Sequence, residues 1–427
     1  MTEGERRSMR LILFGTMLLA SAGSWAQLDP KKDVSDAGIA PTQTPVRSAT
    51  PDAGPAAPLF AVSAALGKGI TVSRGDAFSM TVRGRLAARD VVAVKEKSAT
   101  NEVSLRTARV VLQGKALSPA LSFNVQLALG AADFEKDVVS PLYDAYVDFT
   151  ALRDLQLRVG QFLVPFDRAR TIRENSIQFV DRQQVISELN LDRDIGLSAF
   201  SDDFLGVGGR LSYAVSVFSG QGKNRFLPVS EPVFLWVGRI AIRPMGPFDD
   251  DSEGDVKRST SPHLAIGLGA AYNGKTLRQR STIGNVLTAG TFAYTHFAAD
   301  LVFKYGGFAL LAEGLYRSAD RELRQADIAG KTVTEYSRTG WGYTVQASIM
   351  IGPMFELVAR WNQLRALGRT DPDLVKTVTQ QGREVSAGFN VYVNGHLFKI
   401  QADYTARFGE GSAPVGHLAR VLLDLSF

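Results

Sequence analysis

The chain has 427 residues, a formal net charge of +5 at pH 7 and no cysteine. Without cysteine, neither disulfides nor thiolate metal sites can hold it together, and a charge this small gives no argument for a nucleic-acid partner. About four hundred residues beyond the N-terminal segment are enough for one large all-β domain.

Arg6, Arg7 and Arg10 precede an apolar run over 11–20, and Ser24-Trp25-Ala26 supplies small residues where a signal peptidase reads. This is the pattern of a secretory signal, expected to be cleaved after Ala26, because the apolar run is too short to span a bilayer as a helix. Residues 27–60 are rich in Pro, Ala, Thr and Asp and read as a flexible periplasmic lead-in with too little apolar surface to order itself. The rest, 61–427, reads as one domain.

That domain breaks into strand-like segments at 78–94, 103–115, 121–130, 141–149, 155–163, 193–201, 208–220 and 233–243. Eight more follow at 263–272, 291–305, 307–318, 338–351, 354–365, 383–393, 396–408 and 417–427, giving an even sixteen. Connections after most even-numbered strands are tight, with Gly306-Gly307, Gly352-Pro353 and Asn394-Gly395 as turn signals. Those after odd-numbered strands are mostly long and polar, notably 164–192, 273–290, 319–337 and 366–382. Alternating short turns and long loops predict an antiparallel transmembrane β-barrel. Residues 244–262, with the acidic run 249–255, fall where a turn should be short; either the register slips there or a long periplasmic excursion exists. A short helical segment is expected around 168–189.

Alternation sorts the strands into two faces. Met80, Val82 and Leu86 oppose Arg83, Arg85 and Arg89; Tyr143, Val147 and Phe149 oppose Asp144 and Asp148; Phe234, Trp236 and Ile240 oppose Arg239 and Arg243. Phe398, Ile400 and Tyr404 oppose Lys399, Asp403 and Arg407 in the same way. Arg106 and Arg109 have opposite parity, which calls for an interface or a bulge at one of them. The polar face predicts a wet lumen lined by Arg83, Arg85, Arg158, Arg239, Arg243, Arg360 and Arg407. Two roles are open for these arginines: pairing with lumenal carboxylates, or a positive lining that concentrates anions. The last strand alternates to Phe427, which resembles the C-terminal assembly signal of outer-membrane barrels.

Arg158-Val-Gly-Gln-Phe-Leu-Val-Pro-Phe-Asp167, followed by Arg193-Asp-Ile-Gly-Leu197, resembles the phosphate-selective porin O and P family. That resemblance implies a sixteen-stranded outer-membrane barrel, a homotrimer, whose inward-folded third loop narrows a passive channel for small anionic solutes such as phosphate. Carried onto this chain, the constriction would draw on Arg168, Arg170, Arg173 and Arg182, with Arg193 and Asp194 at the entry to the next strand or paired with each other. Leu163 and Asp167 depart from the family's usual basic residue and glycine. The resemblance implies outer-membrane lipid as the surroundings and no cofactor. A general, non-selective porin and an outer-membrane hydrolase remain the alternatives; for the latter only His263, His296, His396 and His417 are available. No metal site is expected, although the acidic run 249–255 lacks only the full calcium-loop spacing.

Overall fold

The computed structural model describes residues 60–427 apart from 96–97, 136–137, 139, 226, 228–232 and 412. The expected signal, its cleavage site and nearly all of the lead-in lie outside the described residues. No helix among the described residues is long and apolar enough to cross a membrane.

Sixteen antiparallel strands form a closed barrel. The first eight are β1 Phe78–Lys95, β2 Ser98–Ala116, β3 Ser118–Ala128, β4 Leu142–Phe149, β5 Gln156–Leu163, β6 Arg193–Ser201, β7 Leu211–Phe218 and β8 Leu235–Ile242. The others are β9 His263–Thr276, β10 Phe292–Tyr305, β11 Phe308–Ala319, β12 Gly340–Ile351, β13 Phe355–Ala366, β14 Arg383–His396, β15 Phe398–Phe408 and β16 Pro414–Ser426. Each pairs with its sequence neighbours, and β16 closes onto β1 from Gly416 opposite Lys95 to Ser426 opposite Arg85. Phe427 completes the seam: Gly84 N–H donates to its carbonyl at 2.8 Å, and its own N–H donates to Gly84 O at 2.9 Å. Beyond this seam the edge of β1 is taken by a hairpin, Ala61–Ala65 and Gly69–Arg74, two strands additional to the sixteen expected from 78 onward.

Alternation holds along most strands, with Trp236, Tyr272 and Phe297 exposed on the outer face and charged residues buried on the inner one. Both parity irregularities are β-bulges. Ala87 faces Thr107 and Ala88 faces Leu105, so Arg106 is the extra residue and joins Arg109 on the inner face. Gln126 faces Asp144 and Leu127 faces Leu142, so Tyr143 is extra too. Tyr143 therefore points inward, 5% exposed, and not to the outer face as simple alternation predicts.

The tight turns fall where expected; Gly306 and Gly307 have φ of 63° and 93°, values that favour glycine. Residues 243–262 are a genuine long connection, because β8 and β9 pair in continuous register from Ile242 opposite Ile266 to Leu235 opposite Asn273. Following an even-numbered strand, it leaves the barrel at the same end as Phe78 and Phe427. Between β5 and β6 lie helix α1 Arg168–Thr171, a 3₁₀ turn at Glu174–Ser176 and α2 Gln184–Leu189. Helix α3, Pro372–Gln381, occupies what reads as a polar loop. Its signals are in the sequence: Asp371 caps the Asp373 N–H, and Pro372 takes the first turn.

The closed sheet also encloses an apolar core. Val164, Phe166, Val185, Ile186 and Leu189 of the β5–β6 connection pack against Phe218, Val237, Leu315 and Leu364 from the surrounding strands. Exclusion of water from these side chains is one of the terms that tie the connection to the surrounding strands.

A Cβ on Gly84 would lie 2.4 Å from the Phe427 ring. Gly84→Val should therefore destabilise the seam by about 1–3 kcal/mol, read as a lower urea midpoint of tryptophan fluorescence in lipid vesicles. An unchanged midpoint would show that the terminal aromatic is not tightly seated.

Candidate functional site

The glycines of the sequence motif face each other across β5 and β6, Gly160 opposite Gly196. Gly160 has φ of 134°, and a Cβ there would meet Ala145 O at 2.2 Å; one on Gly196 would meet the Phe218 ring at 2.5 Å. Their missing side chains let aromatics close over this part of the wall, with Phe162 and Phe218 centroids 5.0 Å apart. The chain then leaves β5 and runs across the lumenal face of the barrel.

Every stretch of 164–192 is tied to a different part of the wall. Glu313 on β11 accepts from the backbone N–H groups of Arg168 and Ala169 at 3.1 and 2.8 Å, while Asp167 caps Arg170 N–H at 2.7 Å. Further along, the Ile177 carbonyl accepts from Lys399 Nζ at 2.7 Å and from Gln401. Gln178 donates to Ser348 at 2.6 Å, and Val180 N–H donates to Asp403 at 2.8 Å. Glu188 pairs with Arg317 at 2.5 Å and Arg338 at 2.8 Å. On the opposite flank, Glu174 pairs with Arg109 at 3.0 Å and Arg85 at 3.5 Å, and Asp181 with Arg89 at 3.0 Å, Arg420 at 3.4 Å and Arg106 at 3.5 Å.

The connection 243–262 meets this segment from the other end of the barrel. Glu253 N–H donates to Ser176 O at 3.0 Å, and the Glu253 carboxylate accepts from Gln178 N–H at 2.8 Å. Asp250 pairs with Arg168 at 2.9 Å and Arg243 at 3.0 Å, and Lys304 Nζ donates to Asp249 O, Ser252 O and Ser252 Oγ. The acidic run is a structural strap. No cluster of three or more metal-ligating side chains occurs among the described residues.

The predicted site residues divide by what they touch. Arg85 is bidentate to Asp424, Arg158 to Asp148, Arg239 pairs with Asp300 at 2.6 Å, Arg243 with Asp250, and Arg407 with Glu384 at 2.9 Å. Arg168 bridges Asp300 and Asp250, and Arg170 grips Asp192 with both contacts at 2.8 Å. Arg182 binds the carbonyls of Ala169 and Ile172. Arg193 pairs with Asp144 at 2.7 Å and lies 3.7 Å above the Tyr143 ring, whereas Asp194 accepts from Ser219 Oγ and Gly220 N–H. The side chains of Arg193 and Asp194 thus do not pair with each other, because each finds a partner from a different strand. Arg83 donates to Gln113 and Arg173 is exposed; neither has a carboxylate at ion-pair distance among the described residues. Arg360 also lacks a carboxylate: it lies 4.0 Å over the Phe179 ring and donates to Asp181 O at 3.3 Å.

The carboxylates of the inserted segment have environments of opposite sign. Burial works against ionised Glu174, but Arg109, Arg106 and Arg85 together hold it well below the usual carboxylate range. Burial pushes Asp167 up to about 6, against the Arg170 N–H and the Arg239, Arg170 and Arg182 charges.

Between the inserted segment and the wall made by β1, β2 and β13–β16 is a cavity of about 600 Å³. Nine basic and six acidic side chains line it, so its surface carries a positive excess. Arg89, Arg106, Arg420 and Lys223 belong to this lining but are absent from the predicted site. Arg89 and Arg420 have the correct parity to have been included; Arg106 is hidden by its bulge and Lys223 by its place in a long loop. Of the histidines, His263 has Ser261 Oγ at 3.4 Å, and neither its Nδ1 nor that of His396 has a hydrogen-bond partner among the described residues. His296 is buried with no partner on either ring nitrogen, and His417 lies 2.5 Å from Tyr404 OH.

Residues 78–215 match the phosphate-selective porin O and P family. No curated protein sequence matches the chain. Among solved structures, Salmonella typhi OmpF in complex with daunomycin is similar at a TM-score of 0.55 and 12% identity, covering 83% of this chain and 99% of that one. The outer membrane channel DcaP of Acinetobacter baumannii has a TM-score of 0.52 and 11% identity over 83% of this chain and 99% of its own. The anion-selective porin from Comamonas acidovorans has a TM-score of 0.51 and 11% identity over 82% and 100%. At these identities the likeness establishes the porin barrel fold.

Because folded Asp167 holds its proton up to about pH 6 but the unfolded chain releases it near the ordinary value of 3.8, its contribution to stability falls as pH rises through that window. Asp167→Asn keeps an oxygen for the Arg170 N–H and removes this titration. The urea midpoint of the variant should therefore decline less than that of the parent between pH 4 and 6. Parallel curves would mean that Asp167 is not the group responsible.

Proposed function

We propose that this chain is an outer-membrane porin, a passive aqueous channel that favours small anionic solutes such as phosphate. The observation that carries the reading is the positive excess of the cavity beside the inserted segment 164–192, in a barrel of porin fold. Solutes would pass along the wall of β1, β2 and β13–β16, with the inserted segment setting the width and uncompensated cations setting the preference. The basic and apolar N-terminal pattern supports export with cleavage after Ala26, and the family match supports residence among outer-membrane lipids, assembly as a homotrimer and a non-enzymatic role.

The pairing pattern shifts the filter away from most of the loop arginines. Arg168, Arg170 and Arg193 are neutralised by carboxylates and serve to hold the segment in place. Among the described residues Arg83, Arg173, Arg182 and Arg360 have no acidic partner, and of these Arg173 is the exposed one and Arg360 lies in the cavity wall. The strap 243–262 supports a second constriction reached from the periplasmic end, since Asp250 and Glu253 hold the underside of the loop.

Under a potassium chloride gradient across a planar bilayer, the purified protein should give a reversal potential on the anion-selective side. Arg173→Ala should reduce that preference with the urea midpoint unchanged. Deleting 249–255 should raise single-channel conductance about twofold or more, because a charged segment leaves the lumen. Unselective conductance would favour a general porin, and no conductance from correctly folded protein would contradict the channel reading.

A further inference from the structure

The cavity beside the inserted segment is not lined like a site for a small inorganic anion. Val91, Ile177, Val180, Ile186, Leu418 and Leu422 share its surface with the charged groups. Ala87, Val180 and Leu422 pack against one another between the wall and the inserted segment, while Val91 and Leu418 are only partly buried and leave apolar surface in the cavity. A fully hydrated phosphate gains nothing from such a surface, whereas an apolar group does.

Among the described residues, three cations of this lining have no carboxylate at ion-pair distance: Arg182 and Lys223 are taken up by backbone carbonyls, and Arg360 is left with unused donor capacity. Arg360 is 5% exposed, its Nε has no hydrogen-bond partner, and no carboxylate lies within ion-pair distance. Nη1 reaches only the Asp181 carbonyl, and the guanidinium plane is fixed by stacking on Phe179. The other arginines on this wall are committed: Arg407 to Glu384, Arg420 to Asp403 and Arg89 to Asp181. A buried guanidinium with an unused donor is costly unless a ligand or water completes it. A planar guanidinium held in one orientation is suited to a carboxylate, which can accept two parallel hydrogen bonds.

We propose that this cavity is a binding subsite for organic carboxylates with an apolar body of about benzoate size, with Arg360 receiving the carboxylate and Val91 and Leu418 lining the place of the body. This rests on the channel reading, because the subsite would lie on the solute path, but its binding can be measured without transport. Arg360 is then the residue that fixes specificity among anions, and the loop arginines are its scaffold.

Isothermal titration calorimetry on the folded, detergent-solubilised full chain tests this with benzoate, benzyl alcohol and inorganic phosphate. Benzoate should bind at least about tenfold more tightly than either of the others. Arg360→Gln should weaken benzoate about tenfold or more, with Arg360→Lys between the two. Leu418→Asn should weaken benzoate and leave phosphate unchanged. Heat-modifiable gel migration establishes that each variant retains its barrel. Phosphate binding as tightly as benzoate, or benzoate affinity indifferent to Arg360→Gln and to Leu418→Asn, would overturn the proposal. Potassium chloride conductance measured without benzoate reports on the channel separately: binding without conductance would refute the channel and leave the subsite standing, and conductance without benzoate binding would do the reverse.

Discussion

Closure of the strand ladder is the constraint from which the rest follows. In a hydrocarbon layer an unpaired backbone N–H or C=O has no water to bind, so a strand-built span must return to its own first strand. Here β16 does so against β1, and the Gly84–Phe427 exchange completes the last pair. Once sixteen strands close, the inner face encloses more space than wall side chains alone fill. The chain fills much of it with its own segments, and their composition decides what the remaining space admits.

Charge pairing governs that filling. An arginine on the inner wall of a packed barrel is partly removed from water, and leaving it single costs more than leaving it exposed. The inserted segment supplies Glu174, Asp181, Glu188 and Asp192 where the wall and the segment itself supply arginines. Asp300 takes both Arg168 and Arg239, and Asp250 takes both Arg168 and Arg243, so a single network spans wall, loop and strap. Most lumenal arginines are thereby spent on architecture. Selectivity falls to the few that are not, chiefly Arg360 and Arg173.

Strand positions were legible because alternation is a one-dimensional signal: Arg85, Arg239 and Arg407 fall inward for the same reason that Trp236 and Phe297 fall outward. Both departures from alternation are single-residue bulges: the one at Arg106 showed as a parity clash with Arg109, whereas the one at Tyr143 left no mark because an aromatic suits either face. Helix α3 was written in Asp371 and Pro372 but lay in a stretch whose polarity matches an ordinary loop. The strap 243–262 was visible as an anomaly, while its destination was not, since Asp250 finds Arg168 across more than eighty residues of chain. For the site, residue type indicated the inner face, but partner choice is a three-dimensional property. Arg168 and Arg360 look alike in sequence and differ entirely in whether a carboxylate reaches them.

The most direct test of the central claim, an open passage with uncompensated positive charge beside the inserted segment, exploits the absence of cysteine from the chain. Ser187 lines the cavity and is exposed on α2, so Ser187→Cys places a single thiol there. Its modification rates with an anionic sulfonate and a cationic ammonium methanethiosulfonate reagent would be measured, each divided by the rate with free cysteine. The anionic reagent should be relatively faster, and Arg360→Gln should narrow the difference. A relatively faster cationic reagent, or a thiol that neither reagent reaches, would contradict it.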